Sequence, residues 1–447
     1  MDLFTELRSS KANKQVISHL ENLVAKGSDF ECYKINAFRL ADELHVSHRE
    51  ALRTLLFATR LGIFDLNYDI HCPSCMGIPA YSKHLMGLEE TAHCPLCTID
   101  WSLDLEEQVE VTFTVNPELR QIEIKDFAER DFEGQQELVS SMLEREGRAL
   151  KLGLGLFPGQ EANGEMELKK GDFTYYVPAE DHAGQLVVTG EETAEAQTFS
   201  IVAHADGSFS PASISARPGK IKLVVSTEYD RVVGLAVRTQ GPKNNWVSAA
   251  HVIAQQDFRD LFGSEYLAPD LSFAIRSVTL MFTDITASTE MYERLGDGPA
   301  YALVQDHFSV MTEVIAQHEG GIVKTIGDAV MAAFPRTIDG LSAACEIQQA
   351  FTERSDNLAG VTVKIGVHRG PAIVVTSNRA TDYFGRTVNL AARVQGEAEA
   401  SQVVVGPAVI EDKKSADYLA EMGYKLDVCT RSLKGIEEPV ALTVISF

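Results

Sequence analysis

VKTIGDAVMAAF, Val323–Phe334, decides how the rest of the chain is read. Two apolar runs flank Gly327-Asp328, which predicts a β-hairpin with those two residues at its tip. A carboxylate at the end of two buried strands is costly unless something positive meets it. Lys324 stands four residues before Asp328, on the same hairpin. Upstream, SVTLMFTD (277–284) reads as a strand ending on Asp284, and residues 298–321 carry a helical pattern closed by Gly320 and Gly321. Downstream, LSAACEIQQAFTER (341–354) reads as a helix and VTVKIGVHRGPAIVV (361–375) as a second hairpin. TVNLAARVQG (387–396) is a further helix, and two short strands with PVALTVISF (439–447) close the chain. The order β-α-β-β-α-β with additions is a split βαβ arrangement, ferredoxin- or palm-like. Its first strand is central and neighbours the hairpin, so Asp284 and Asp328 can converge.

Two converging carboxylates repel, and a divalent cation resolves the repulsion. Mg²⁺ prefers one or two carboxylates plus phosphate oxygens of a substrate. Two such ions can activate an attacking oxygen and hold a leaving one. The plain alternative is a pair of unrelated strand-end acids facing solvent. Asn389 and Arg393 lie four apart on one face of a helix. Arg offers a rigid fork for phosphate oxygens, and Asn can orient a ribose. Lys364 and Lys434 are further candidate phosphate contacts, with a solvated lysine as the alternative for Lys434.

FTDI, KTIGDAVMAAF, KIGVHRG and DYFGRTVNLAARV stand in the order and approximate spacing of the class III nucleotidyl cyclases, whose catalytic domain residues 272–447 resemble. The resemblance covers some two-fifths of the chain. It implies that Asp284 and Asp328 bind two Mg²⁺ or Mn²⁺ ions per active site, helped by the backbone carbonyl at Ile285. It implies that Asn389 and Arg393 stabilise the transition state and that Lys324 and Asp382 read the purine. Sites of this family form at a two-fold interface, and this chain carries both halves, which implies a homodimer. Many relatives have Arg where Lys364 stands, and the Asp382 position varies between subclasses.

Hydrogen-bond inventory selects the base. Adenine offers N1 as an acceptor and its N6 amine as a donor; Lys only donates and ionised Asp only accepts. Guanine reverses both edges. The expectation is therefore an adenylate cyclase, a phosphorus-oxygen lyase that makes 3′,5′-cyclic AMP and pyrophosphate from ATP, with guanylate cyclase as the alternative.

With 447 residues the chain is too long for one core. We expect a multidomain α+β protein: a helical, winged-helix-like segment over 1–68, a zinc-ribbon segment over 69–120, an antiparallel β-sandwich over 121–256, a linker helix over 257–271 and the catalytic domain over 272–447. In the first segment Ser47 and Glu50 read as a capping box and Gly62 as a helix stop. Cys72, Cys75, Cys94 and Cys97 form C-x2-C-x18-C-x2-C, the spacing of a structural zinc site with one Zn²⁺ per chain. A redox pair or four idle thiols are the alternatives, and His71 and His93 read as bystanders. The zinc segment and β-rich region also resemble, more weakly, a group of bacterial cyclase-linked proteins. VEVTFTV, FSIVAHA, IKLVVST and VVGLAVR are the period-two runs behind the sandwich. The stretch 126–160 is read as helical in part, and GLGLFPGQ from Gly153 as loop.

The formal net charge of −24 opposes a large phosphate-neutralising surface, so nucleic acid is not the expected partner. The rival reading is a nucleotide-sensing DNA-binding regulator with an inactive cyclase-like domain, whose second helix would present Arg49, Arg53 and Arg60. No apolar run approaches the roughly 18 residues of a membrane span, and the N-terminus lacks the order of a signal peptide. A cytoplasmic protein is expected.

Overall fold

The structure, a computed structural model, describes residues 3–73, 77–95, 99–131, 134–135, 137–138, 141, 150–177, 183–230, 233–239, 246–353 and 361–447. Helices α1 (Leu3–Arg8), α2 (Lys14–Lys26), α3 (Ala37–Leu44) and α4 (His48–Arg60) open the chain. Asn13 and Asn36 cap α2 and α3 with their side chains, and Ser47 and Glu50 form the capping box of α4. Each cap satisfies amides the helix itself leaves unpaired. Strands β1 (Phe64–Ile70), β2 (Ala80–Ser82), β3 (Thr91–Cys94), β4 (Ile99–Ser102) and β5 (Val109–Val115) follow. They build a sheet of order β2-β1-β5 and a separate β3-β4 hairpin. Alternation divides the sheet: Tyr68 and Ile70 face the helices together with Val111 and Val109, while Asp69, Thr112 and Glu110 face the other way. That second face is buried too, and Lys34 meets Asp69 there in an ion pair with both side chains almost wholly enclosed. VEVTFTV, grouped by its alternation with the sandwich runs, is instead the partner of β1.

Among the described residues nine strands form the middle region: β6 (Leu150–Leu156), β7 (Ala162–Leu168), β8 (Gly171–Tyr176), β9 (Ala183–Val188), β10 (Gln197–Ala203), β11 (Phe209–Ser210), β12 (Ser213–Ala216), β13 (Gly219–Thr227) and β14 (Val233–Thr239). They make two sheets, β11-β10-β13-β7 and β12-β9-β8-β14-β6, around one apolar core. Two details depart from expectation. The sandwich is not wholly antiparallel, since β10 runs parallel to β13 and β12 parallel to β9. Parallel neighbours are reached by crossing between sheets, which alternation within a strand cannot reveal. Gly153 to Leu156 also belong to a strand, paired with β14, because a glycine placed in a ladder costs less than an unpaired edge. Of the stretch read as partly helical, Phe127–Glu129 form one turn, 134–135, 137–138 and 141 are helical and 150–156 form a strand, while 132–133, 136, 139–140 and 142–149 lie outside the described residues.

Helices α5 (Ala249–Ala254) and α6 (Gln256–Leu261) lead into the last sheet. It contains β15 (Phe273–Ile285), then α7 (Ser288–Leu295), α8 (Asp297–Gln317), β16 (Gly321–Ile326), β17 (Ala329–Phe334) and α9 (Thr337–Glu353). It continues through β18 (Val363–Ser377), β19 (Ala380–Phe384), α10 (Arg386–Gly396), β20 (Gln402–Val405), α11 (Pro407–Ile410), α12 (Lys413–Met422), β21 (Lys425–Arg431) and β22 (Val440–Ser446). The strand order is β16-β17-β15-β18-β20-β22-β21, with β19 folded onto β18. As the split βαβ reading requires, β15 is central. Residues 361–375 do not turn: β18 is one long strand. Pro371 stays within it because β15 bulges opposite, Arg276 and Ser277 standing against that single residue.

The two faces of this sheet are covered differently. Met281, Val330, Phe334 and Ile365 pack with α8 and α9 in one core. Leu280, Phe282, Met331 and Ala333 pack on the other side with Ala391 of α10, and with Val252, Ile253 and Phe258 of α5 and α6. That second core runs without a break into α2, α4, β1 and β5. Among the described residues no helix is long and apolar enough to cross a membrane.

Candidate active site

Asp284 and Asp328 lie at the same end of the sheet. Thr283 pairs with Val330 as the last rung between β15 and β17, so Asp284 lies one residue past that rung and Asp328 two residues before it. The turn holding Asp328 is possible because Gly327 takes φ 65°, a conformation glycine adopts without strain. Asp284 pairs in register with Lys364, whose Nζ lies 3.1 Å from Oδ2. Among the described residues Asp328 Oδ2 is buried with no hydrogen-bond partner, and so is Thr286 Oγ1 just beyond the strand. A buried carboxylate oxygen without a partner is costly in a finished structure. It suits a hard cation that takes a pair of carboxylates and leaves its remaining positions to water and phosphate. Among the described residues no group of three or more His, Cys, Asp or Glu side chains is placed to hold a metal. Ile285, whose carbonyl the resemblance singles out, is buried at the end of the strand.

Lys324 and Asp382 are brought together from β16 and β19. Lys324 Nζ donates to Asp382 Oδ2 at 2.6 Å and lies 5.7 Å from the centre of the Phe384 ring. Asp382 is nearly buried, and its second oxygen accepts the Tyr383 amide at 2.8 Å, which fixes the carboxylate plane. Tyr383 is fully buried beside it, and burial pushes its phenol above the ordinary range. The pair therefore has one rigid half and one lysine half open to solvent.

Asn389 and Arg393 sit on α10, which crosses closely over β18: a Cβ at Gly366 would lie 2.2 Å from the Gln395 amide nitrogen. Thr387, Ala391 and Val394 face the sheet, while Asn389 and Arg393 are exposed on the helix's outer side. No hydrogen bond or ion pair joins either of them to Asp284, Asp328, Lys324 or Asp382 among the described residues. One chain thus brings Lys364 to Asp284 and Lys324 to Asp382, and turns Asn389 and Arg393 of α10 outward. Lys434 is exposed on the loop between β21 and β22.

In the N-terminal half, Cys72 is buried just after β1, and its amide donates to the Gly77 carbonyl at 2.9 Å. Cys94 is buried at the tip of the β3-β4 hairpin, where it pairs with Ile99. Cys75 and Cys97 lie outside the described residues. His71 bonds Glu110 at 2.8 Å and stacks on Trp246, and His93 bonds Asp100 at 2.9 Å. Two of the three arginines of α4 are engaged by later parts of the chain. Arg49 donates to the Gln317 carbonyl at 3.0 Å, and Arg53 pairs with Asp257 at 2.7 Å; Arg60 is exposed. Two residues near the site escaped the sequence reading. Phe384, beside Lys324, lies inside the quoted DYFG motif, while Arg259, which donates to the Thr381 carbonyl at 3.2 Å, has no local signal.

Residues 1–260 match the model of a family of unknown function, DUF5939, and residues 272–435 match that of the adenylate and guanylate cyclase catalytic domain. An adenylate cyclase of Lachancea kluyveri is 32% identical over 162 residues, covering 31% of this chain and 9% of its own length. An adenylate cyclase of Anabaena cylindrica is 32% identical over 136 residues, 27% of each protein. The chain thus spans well under a third of either relative. The crystal structure of the adenylyl cyclase CyaB from P. aeruginosa aligns with 40% of this chain and 96% of its own, at 20% identity and TM-score 0.34.

Proposed function

We propose that this chain, which belongs to the DUF5939 family and carries a class III nucleotidyl cyclase domain at 272–435, converts ATP into 3′,5′-cyclic AMP and pyrophosphate at a site shared by two copies. The observation that carries the substrate is the Lys324–Asp382 pair. A fixed acceptor beside an ammonium donor matches the N6–N1 edge of adenine, and each group satisfies the other until a purine edge parts them.

The observation that supports two copies is the outward face of α10. Asn389 and Arg393 are of use to a nucleotide only if the acids facing them belong to another chain, and a two-fold arrangement supplies those acids twice. Asp284 and Asp328 would hold two Mg²⁺ or Mn²⁺ ions, and the partnerless Asp328 oxygen suits a hard cation. Such ions, when bound, lower the pKa of the ribose 3′-hydroxyl and offset charge on the triphosphate. Lys364 is pulled toward Asp284 in this state and can turn to a phosphate oxygen once the acid is otherwise neutralised. Asn389 orients the ribose ring, so that the 3′-oxygen lies in line with the bond from the α-phosphorus to the pyrophosphate. That bond breaks as the new P–O bond forms, and Arg393 takes up charge on the phosphoryl oxygens. Lys434, on its exposed loop, would be a further phosphate contact, with a solvated lysine as the alternative.

Cys72, Cys75, Cys94 and Cys97 would hold one structural zinc. Two turns, each carrying a buried cysteine, fit a closed tetrahedral site. The α3-α4-β1-β2 segment has the order of a winged helix, but here two of the three arginines of α4 serve as an internal dock.

The test is product formation by purified protein given ATP or GTP with Mg²⁺ or Mn²⁺. Cyclic AMP from ATP is the expected result. Cyclic GMP formed in preference would overturn the base assignment, and no product from a dimeric protein would favour the nucleotide-sensing regulator.

A further inference from the structure

We infer that helix α6 and the segment after it are the positioning element of the base-reading pair, so that the N-terminal half sets how well the site recognises its purine. The inference rests on the cyclase reading and deepens it.

Lys324 and Asp382 lie on separate strands, and the linker grips both. On the β16 side, the Gln256 amide donates to the Gly320 carbonyl at 2.9 Å, and the Gln256 side-chain oxygen accepts the Ile322 amide at 2.7 Å. Ile322 is two residues from Lys324. On the β19 side, Arg259 donates to the carbonyl of Thr381, the neighbour of Asp382, at 3.2 Å. The Thr381 hydroxyl reaches the Glu265 carbonyl at 3.5 Å, and Thr376 on β18 donates to the Leu267 carbonyl at 2.6 Å. One short helix and the turn after it therefore span the gap that a base edge must enter.

The same linker is held from the other side. Arg53 of α4 pairs with Asp257 at 2.7 Å, both side chains being mostly enclosed. The Glu265 carboxylate accepts the Leu85 amide at 2.9 Å and bonds His84 at 2.7 Å. Two contacts from the N-terminal half thus end within one residue or one turn of a base-reading strand. A shift of α4, or of the 82–87 turn, moves α6 and with it the spacing of Lys324 and Asp382. Among the described residues none of these bonds ends on Asp284 or Asp328. The coupling should therefore act on nucleotide recognition ahead of the chemical step, where small misplacements of binding groups are costly.

The test compares steady-state kinetics of full-length Arg259→Met, Arg259→Lys and Arg53→Met with the unaltered chain, using ATP and GTP. Arg259→Met should raise KM for ATP about tenfold, the loss of one charge-assisted hydrogen bond. It should leave kcat at saturating ATP within about twofold and narrow the preference for ATP over GTP. Arg259→Lys, which can still donate to Thr381, should recover most of the loss. Arg53→Met lies outside the catalytic domain and should shift KM in the same direction by less. A fall in kcat with KM and base preference unchanged would show a merely structural role and overturn the inference. So would an Arg53→Met protein that folds and is kinetically identical to the unaltered chain. An unaltered chain that makes no cyclic nucleotide would sink the cyclase reading itself, and this inference with it.

Discussion

The β-sandwich and the helical layer precede the same catalytic sheet and meet it in opposite ways. The sandwich closes around its own core, from Leu156 to Val237, which among the described residues shares no buried residue with any other part of the chain. The helical layer has no separate core. Leu20 and Leu56 belong to one continuous apolar body with Val252, Phe258, Leu280 and Met331. Packed interiors transmit displacement because they leave few voids. A module that shares a core with the catalytic sheet can act on it directly, and a module that does not must act through its covalent connections. The catalytic sheet shows the same contrast within itself: its helix-covered face is self-sufficient, and its other face is finished by the N-terminal half.

That comparison can be broken or sharpened by substitution. Asp284→Asn sets the scale. It removes a charged ligand-type group from the half-site and should lower product formation by about 10²–10³-fold, with no change in the thermal unfolding of either N-terminal region. Phe258→Ala cuts the shared core, where Phe258 is 2% exposed. It should cost about 3–5 kcal/mol, and denaturation curves should show the helical layer and catalytic sheet losing stability together. Product formation should fall with them. Leu223→Ala cuts the sandwich core, where that side chain is fully buried. It should cost about 2–5 kcal/mol in the sandwich alone and leave the rate of cyclic nucleotide formation unchanged. A Leu223→Ala protein with lowered kcat and intact folding would show that the sandwich speaks to the site after all.

The smallest effect is one of pH. His368, on β18 of the catalytic sheet, is buried, which lowers its pKa to about 4. The unfolded chain takes up that proton near the ordinary value of about 6.5, and the folded one does not until near 4. Stability of the catalytic sheet should therefore fall as pH drops from about 6.5 toward 4, by up to about 3 kcal/mol from this group. Above that window the contribution is constant. His368→Asn should flatten the dependence in urea titrations of the catalytic transition, and the sandwich transition should not respond to it.

The catalytic sheet was legible because its signals are local. The Gly327-Asp328 tip, the strand ending on Asp284 and the 387–396 helix each show in a dozen residues, and the βαβ order places them. The reading failed at Gly370-Pro371, where a bulge on another strand keeps the ladder intact. Period-two alternation found most strands of the middle region but not their partners. VEVTFTV alternates as well as any sandwich strand, yet it pairs with β1, since pairing is decided by which apolar face needs covering. Around the site, the resemblance pairs Lys324 with Asp382, and the chemistry of the adenine edge agrees with that pairing. The grip of Arg259 on Thr381 could not, because it spans 122 positions and rests on a backbone carbonyl with no signature in sequence.

The central claim is that one chain holds two half-sites and needs a second copy to complete either. Asp284→Asn and Arg393→Ala damage opposite halves, so each protein alone should be inactive. Mixed in equal amounts and allowed to exchange, half of the dimers would carry one intact site and one doubly damaged site, and activity should return to about a quarter of the unaltered level. No recovery, with exchange between the two proteins demonstrated, would contradict the shared site and return catalysis to the single chain.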